Sequence, residues 1–167
     1  MAEKFKMVGM IVVMVTLYYV VTLALRPCIV VENDANILYC FKLNADEEIA
    51  LQYVHSVEKT VVIEKIGLVN NELCIKEMLY QSFGAGLPFL VQQGQFRIEN
   101  DWFIINDINE EITAISLRVS KNSKLTINYQ GQAYNLYELI PDNSVVNIKS
   151  ARYYDIFIAD KIYRGIR

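Results

Sequence analysis

Histidine and proline are scarce in this chain of 167 residues, which has one histidine and three prolines. No proline- or serine-rich linker, internal repeat or low-complexity tract interrupts the sequence, and its length is that of one domain. Nucleophilic catalysis by Ser56 requires a base, and the one histidine available is the adjacent His55. Because neighbouring residues of a strand point to opposite faces, this pair cannot form the hydrogen bond that nucleophilic catalysis requires. The sequence therefore argues against a Ser–His hydrolase.

Clustered positive charge is also lacking. From Arg26 onward the chain has 14 basic and 18 acidic residues, a formal charge of −4, once Lys4, Lys6 and Glu3 are removed from the totals of 16 and 19. Nucleic-acid binding depends on clustered basic residues, so nucleic acid is excluded as a partner.

Cysteine is present three times, as Cys28, Cys40 and Cys74. An odd number allows at most one disulfide within the chain and leaves at least one free thiol. A disulfide between Cys40 and Cys74 and a pair of buried thiols are both compatible with the sequence.

Residues 7–25 form a run of nineteen residues without a charge. Nineteen residues in a helix span about 28 Å, close to the ~30 Å hydrocarbon core of a bilayer, which predicts a transmembrane anchor within residues 1–26. Lys4 and Lys6 precede the run, so the positive-inside rule places the N-terminus in the cytoplasm. Residues 27–167 are then an extracytoplasmic domain of a single-pass cytoplasmic-membrane protein. A signal peptide cleaved after Thr22 and Ala24 is the alternative, although the run exceeds the usual apolar region of about 7–15 residues.

Beyond residue 27, short runs rich in Val, Ile, Tyr and Phe are separated by clusters of Asn, Asp and Gly. This pattern predicts an all-β fold, a single antiparallel β-sandwich or barrel-like domain. Tight turns are predicted at Asn70-Asn71, Gln130-Gly131 and Asp142-Asn143. Strands are predicted at 28–32, 36–43, 48–57, 60–69, 72–82, 95–106, 112–119, 124–130, 132–139 and 144–150, and 153–163 fits either a strand or a helix.

Three successive strands carry polar residues on an otherwise apolar face. With turns at Asn70-Asn71 and Glu58-Lys59, the register predicts Glu64 opposite both Glu77 and Tyr53, with His55 one step diagonally away. Opposed Cβ atoms lie about 4.5–5.5 Å apart, so the two carboxylates are predicted to be neighbours. Because two like charges cannot both ionise cheaply there, one keeps a proton or a cation lies between them. The predicted face consists of Ile49, Leu51, Tyr53, His55, Val62, Glu64, Ile66, Leu68, Leu73, Ile75, Glu77 and Leu79.

This cluster is compatible with several roles. His55, Glu64 and Glu77 are ligand types for zinc or a divalent iron-like ion, and two carboxylates about 5 Å apart suit acid–base work of the glycosidase kind. A solvated face or a purely structural hydrogen-bond network explains the same residues. The sequence identifies no catalytic residue and calls for no cofactor.

Strand direction places the turn holding His55, Ser56 and Glu58 at the same end of the sheet as the loop Ser82-Phe83-Gly84-Ala85-Gly86-Leu87-Pro88. Gly84 and Gly86 can adopt positive φ and present backbone N–H groups to an anion, or they can simply form a tight turn.

The blocks Tyr53-Val54-His55-Ser56-Val57-Glu58 and 82–88, with Glu64 and Glu77 between them, resemble the bacterial and archaeal family catalogued as domain of unknown function 1850. The hallmark of that family is a YxHSVE block, a glutamate soon after it, and an SFGAGLP block. The resemblance covers most of the chain. It implies an accessory protein of the fused membrane subunits of TAXI-type tripartite ATP-independent periplasmic (TRAP) transporters, without an established activity. A permease subunit is the partner so implied, and Tyr53, His55, Ser56, Glu58, Glu64, Glu77, Ser82, Gly84 and Gly86 are the candidate ligand-binding residues.

Overall fold

A computed structural model describes residues 2–34, 36–44, 46–82 and 94–156 of the chain. It begins with a helix and continues with antiparallel strands, with a short helix between the last two described strands. The elements are α1 (Ala2–Ala24), β1 (Pro27–Asn33), β2 (Asn36–Lys42), β3 (Ile49–Val54), β4 (Val61–Val69), β5 (Glu72–Tyr80), β6 (Gln95–Glu99), β7 (Trp102–Asn106), β8 (Glu110–Ile112), β9 (Ala114–Arg118), β10 (Thr126–Tyr129), β11 (Gln132–Asn135), α2 (Leu136–Leu139) and β12 (Val145–Arg152).

The N-terminal helix α1 is long and apolar enough to cross a membrane. Its span Lys6–Ala24 has a mean hydropathy of 2.2, and none of it is buried against the remainder of the described chain. A helix that is apolar all round and has no protein cover is typical of a membrane segment. The helix is thus consistent with single-pass membrane anchoring.

The described strands form two antiparallel sheets. One has the order β2-β1-β12-β9, and the other has the order β11-β10-β3-β4-β5-β7-β6, with β8 paired to β5. A shared core joins them, since Ile29 and Ile148 of the first sheet pack in one cluster with Leu51, Ile66 and Ile127 of the second. This sandwich-like arrangement confirms the predicted all-β fold; the described strands do not close into a barrel.

The predicted tight turns are present where Asn and Gly tolerate positive φ. Asn70 and Asn71 have φ of 51° and 68°, and Gln130 and Gly131 have φ of 48° and 77°. Two values above zero are the signature of type I′ hairpin turns. Asn143 also has positive φ, and the Ser144 N–H donates to the Pro141 carbonyl to close its turn.

Some predicted strands are divided in the structure. The prediction 95–106 missed a turn at Asn100 and Asp101, both with positive φ, which separates β6 from β7. The prediction 132–139 was wrong over its second half, because residues 136–139 form α2 and Leu136 is buried in the core. A helical turn begins at 153, and the remainder of the 153–163 prediction lies outside the described residues.

The register of β4 against β5 follows the prediction only near the Asn70-Asn71 turn. Val69 lies opposite Glu72 and Ile66 opposite Ile75, as alternation predicts. The pairing then shifts between Lys65 and Ile66, so that Glu77 lies opposite Lys65 and Glu64 lies opposite Met78. Lys76 is the extra residue of a β-bulge, which changes the face to which the following side chains point.

The register of β3 against β4 differs from the prediction by two residues. The predicted turn centred on Glu58-Lys59 is instead a six-residue connection, 55–60, and Tyr53 lies opposite Val62 while Leu51 lies opposite Glu64. A shift of two residues preserves the face of every side chain. Tyr53 and Glu64 therefore remain on the core side, as diagonal neighbours rather than as a directly opposed pair.

Candidate functional site

The predicted pairing of Glu64 with Glu77 is wrong. Because of the bulge at Lys76, Glu77 points away from the shared core and forms an ion pair with Lys65. Arg97 lies 3.9 Å from the Glu77 carboxylate, and the Asn106 amide, with its nitrogen as donor, lies 2.6 Å from the same oxygen. Glu77 therefore belongs to a charge-compensated network on the outer face of the larger sheet and not to a site shared with Glu64.

Glu64 instead has Tyr53 as its partner. The Tyr53 hydroxyl donates a hydrogen bond of 2.9 Å to Glu64 Oε1. Burial raises the pKa of the Glu64 carboxyl group, and the hydrogen bond from Tyr53 opposes that increase. Burial also raises the pKa of Tyr53, with a further contribution from the negative charge of Glu64. The pair is thus a partly buried donor–acceptor unit in which Tyr53 retains its proton.

His55 lies in the turn that follows β3, where its backbone and ring are both engaged. The His55 N–H donates to the Thr60 carbonyl at 2.8 Å, and the Glu58 N–H donates to His55 Nδ1 at 3.2 Å. Since Nδ1 accepts this bond, the neutral ring carries its proton on Nε2. The Nε2–H of His55 is therefore a hydrogen-bond donor, while Nδ1 stabilises the turn by accepting from Glu58.

This turn forms one wall of a surface pocket of about 490 Å³. The opposite wall is the loop after β9, which the Val54 N–H ties to β3 through a 2.7 Å hydrogen bond to the Ser123 carbonyl. Ser120 and Ser123 brace that loop reciprocally, each backbone N–H donating to the other's hydroxyl oxygen. The lining residues are Val54, His55, Ser56, Lys59, Ser120, Asn122 and Ser123.

The polar groups of the described lining are neutral or positively charged. Its described residues contribute hydroxyl, amide, imidazole and ammonium groups and no carboxylate. The Lys59 ammonium group donates to the Ser56 carbonyl, which holds this side chain across the turn. A pocket of this size and composition suits a small polar or anionic ligand. The sequence prediction included His55 and Ser56 but missed Lys59, Ser120, Asn122 and Ser123, because the latter three come from a loop more than sixty residues away along the chain.

Glu58, which is part of the 55–60 turn, contacts Ser82. The Ser82 hydroxyl donates a hydrogen bond of 2.7 Å to Glu58 Oε2. This contact confirms the prediction that the turn holding Glu58 and the start of the Ser82 loop lie at the same end of the sheet. The other two candidates in that loop, Gly84 and Gly86, lie outside the described residues.

The proposed metal ligands His55, Glu64 and Glu77 are not brought together. Within the described ranges no group of three histidine, cysteine, aspartate or glutamate side chains is arranged to hold a metal ion. The reason is the bulge, which turns Glu77 to the outer face of the sheet while Glu64 stays inside. The same separation removes the carboxylate pair on which a glycosidase-like mechanism depends.

Comparison with known proteins gives one result. The model of a family described as Domain of unknown function (DUF1850) matches residues 49–136, which is more than half of the chain. The matched segment contains the 55–60 turn, the Glu58–Ser82 contact and all the described residues that line the pocket. No curated protein and no solved structure matches the chain.

Proposed function

Because this chain belongs to the family described as domain of unknown function 1850, we propose that it is a non-enzymatic, membrane-tethered accessory domain of a TAXI-type TRAP transporter. The domain lies on the extracytoplasmic side and docks on the permease subunit through the end of its larger sheet. The observation that carries this proposal is the Glu58–Ser82 hydrogen bond, because it joins the YxHSVE block to the first residue of the SFGAGLP block.

The connection between helix and domain supports docking on a membrane partner. The helix α1 ends at Ala24 and β1 begins at Pro27, so only Leu25 and Arg26 separate them. Two extended residues span at most about 7 Å. The domain is therefore held against the bilayer surface, where a membrane protein is the partner within reach.

The proposed docking surface also has unused hydrogen-bonding capacity. Among the described residues, the Thr60 hydroxyl oxygen is buried and has no hydrogen-bond partner. A buried polar group left unpaired costs about 1–3 kcal/mol, so a partner that reaches it gains binding energy. Ser56 and Lys59, both exposed, lie in the same turn.

Site-specific photo-crosslinking tests the proposal. A photoreactive amino acid at Ser56 of the full-length protein, irradiated in native membranes, is expected to yield an adduct with a TRAP permease subunit. The same photoreactive amino acid at Asn71 is the matched control, because Asn71 is also exposed but lies at the opposite end of β4. Nine residues of strand separate the two ends by about 30 Å. Adducts of equal yield at both positions, or none with a transporter subunit at Ser56, contradict the proposal.

A second candidate function is binding of a small solute in the surface pocket lined by His55, Lys59 and the loop after β9, here called the His55–Lys59 pocket. The observation that favours it is the neutral and positively charged lining, whose donors suit a carboxylate. Titration of the full-length protein with succinate, followed by thermal unfolding, is expected to raise the unfolding temperature of the wild type and not that of Asn122→Ala. An equal increase in both proteins places binding elsewhere.

A further inference from the structure

We propose that Cys28 and Cys40 form a disulfide within the first hairpin of the domain. The register of β1 against β2 pairs Cys28 with Lys42 and Cys40 with Val30. The two cysteines are therefore diagonal neighbours on one face of the hairpin, where side-chain separations fall below about 7–8 Å. Each thiol also perturbs the other, since Cys40 raises the pKa of Cys28 and Cys28 lowers the pKa of Cys40. Both cysteines are free thiols in the structure.

The environment of the pair makes Cys40 the attacking group. The neighbouring Cys28 thiol lowers the pKa of Cys40, burial opposes this effect, and the nearby charge of Lys42 reinforces it. Cys40 is also partly exposed, whereas Cys28 is fully buried and its thiol donates to the Ala151 carbonyl at 3.3 Å. A thiol attacks a disulfide as its thiolate, so a disulfide oxidant reacts with Cys40 first.

The exchange needs a disulfide oxidant, RSSR, of the glutathione class. The Cys40 thiolate attacks one sulfur of the oxidant, which forms a Cys40–S–S–R mixed disulfide and releases the first RSH with the proton that Cys40 lost. The Cys28 sulfur then gives up its proton and attacks Cys40 Sγ, which releases the second RSH. Two cysteine thiols are oxidised and one disulfide oxidant is reduced to two thiols.

Cys74 takes no part in this reaction. It lies on β5 opposite Gly67, in the larger sheet, and is 1% exposed. Cys40 faces away from the shared core on one sheet and Cys74 faces away from it on the other. Packed sheets are about 10 Å apart, so a disulfide between Cys40 and Cys74 is excluded by geometry. The odd number of cysteines thus resolves into one pair and one buried thiol.

The position of the pair indicates its use. The disulfide closes the hairpin that directly follows α1 and links β1 to the edge strand β2. A covalent link at this position prevents the edge strand β2 from separating from β1 when the N-terminal helix moves. The oxidised protein is expected to unfold at a higher temperature than the reduced protein.

Thiol counting on the full-length protein in detergent tests the proposal. The reduced protein is treated with oxidised glutathione, denatured, and reacted with a polyethylene-glycol maleimide that retards a gel band once per free thiol. The wild type is expected to carry three tags before oxidation and one after it, and Cys74→Ala two before and none after. Cys28→Ser lacks the resolving thiol, so it is expected to gain the mass of one glutathione on Cys40.

Two results overturn the proposal. One is a folded wild-type protein that keeps three tags after oxidation. The other is a disulfide that joins Cys40 residues of two chains, seen as a dimer on a non-reducing gel. Because the wild type itself supplies the main measurement, a variant that fails to fold does not affect the conclusion. Neither readout involves a transporter, so this result is independent of the crosslinking experiment.

Discussion

Tyr53 and Glu64 are joined by a 2.9 Å hydrogen bond across neighbouring strands, and this bond is the main stabilising contact of a carboxyl group that burial disfavours. The bond has energetic consequences that can be measured by unfolding the full-length protein in detergent. Trp102, the only tryptophan, provides the fluorescence signal from β7.

The raised pKa of Glu64 predicts a specific pH dependence. The folded state binds a proton more tightly than the unfolded chain, whose glutamate has the ordinary pKa of 4.5. Glu64 therefore contributes stability that is fully present below that pKa and is lost as the pH rises through the folded-state value. In Glu64→Gln this dependence is expected to disappear, so the variant gains stability relative to wild type between acidic and neutral pH. Denaturant unfolding across that range checks it, and parallel pH curves contradict it.

Tyr53→Phe provides the complementary experiment on the same bond. Removing the hydroxyl is expected to lower the free energy of unfolding by about 1–2 kcal/mol, because Glu64 loses its donor. The loss is expected to be larger at neutral pH than at acidic pH, since the charged carboxylate depends more on the hydrogen bond than the protonated form does. A loss that is independent of pH contradicts the assignment of Tyr53 as the donor.

The Glu58–Ser82 contact predicts energetic coupling between the two sequence blocks. A double-mutant cycle with Glu58→Gln and Ser82→Ala is expected to give a coupling energy of about 1–3 kcal/mol, as for hydrogen bonds to a charged group. Ser116 lies in the other sheet, so the cycle of Glu58→Gln with Ser116→Ala serves as the control. Coupling that is equal in both cycles shows that the contact does not join the blocks.

Two glycines are expected to respond in opposite ways to alanine. At Gly67 a Cβ atom would lie at ordinary contact distance, 3.4 Å from the Glu47 carbonyl oxygen, so Gly67→Ala is expected to stabilise the strand by about 0.5–1 kcal/mol. At Gly94 the φ is +96° and a Cβ atom would lie 2.3 Å from the Asn106 carbonyl oxygen. Gly94→Ala is therefore expected to destabilise the protein by about 1–3 kcal/mol. Unfolding free energies that change in the same direction for both variants contradict this reading.

Membrane orientation can be measured with single introduced cysteines. Asn71→Cys, at an exposed turn, is expected to react with a membrane-impermeant maleimide in cells whose inner membrane is intact and whose outer layers admit the reagent. The reason is that the domain is proposed to be extracytoplasmic. Lys4→Cys, at the exposed start of α1, is the control and is expected to react only after the inner membrane is permeabilised. The reverse labelling pattern refutes the proposed orientation.

The sequence predicted the candidate site in part, and particular residues show where the prediction stopped. Alternation placed Tyr53 and Glu64 on one face, and that placement is correct because a two-residue register shift does not change the face. The placement of Glu77 failed because a bulge is an odd shift, and nothing in the residues around Lys76 signals it. The pocket was missed because three of its seven described lining residues come from the loop after β9.

What the sequence determined by itself was local. A charge-free run defined the long apolar helix, period-two alternation defined the strands, and Asn-Asn and Gln-Gly turns set the register within a few residues of each turn. These features depend only on neighbours along the chain. Tertiary structure decided the bulge at Lys76, the assembly of the His55–Lys59 pocket and the meeting of Cys28 with Cys40. Each of these depends on which strands pack together and on the long-range contacts they make, such as Lys65 and Arg97 with Glu77, and such contacts have no signature in the local pattern.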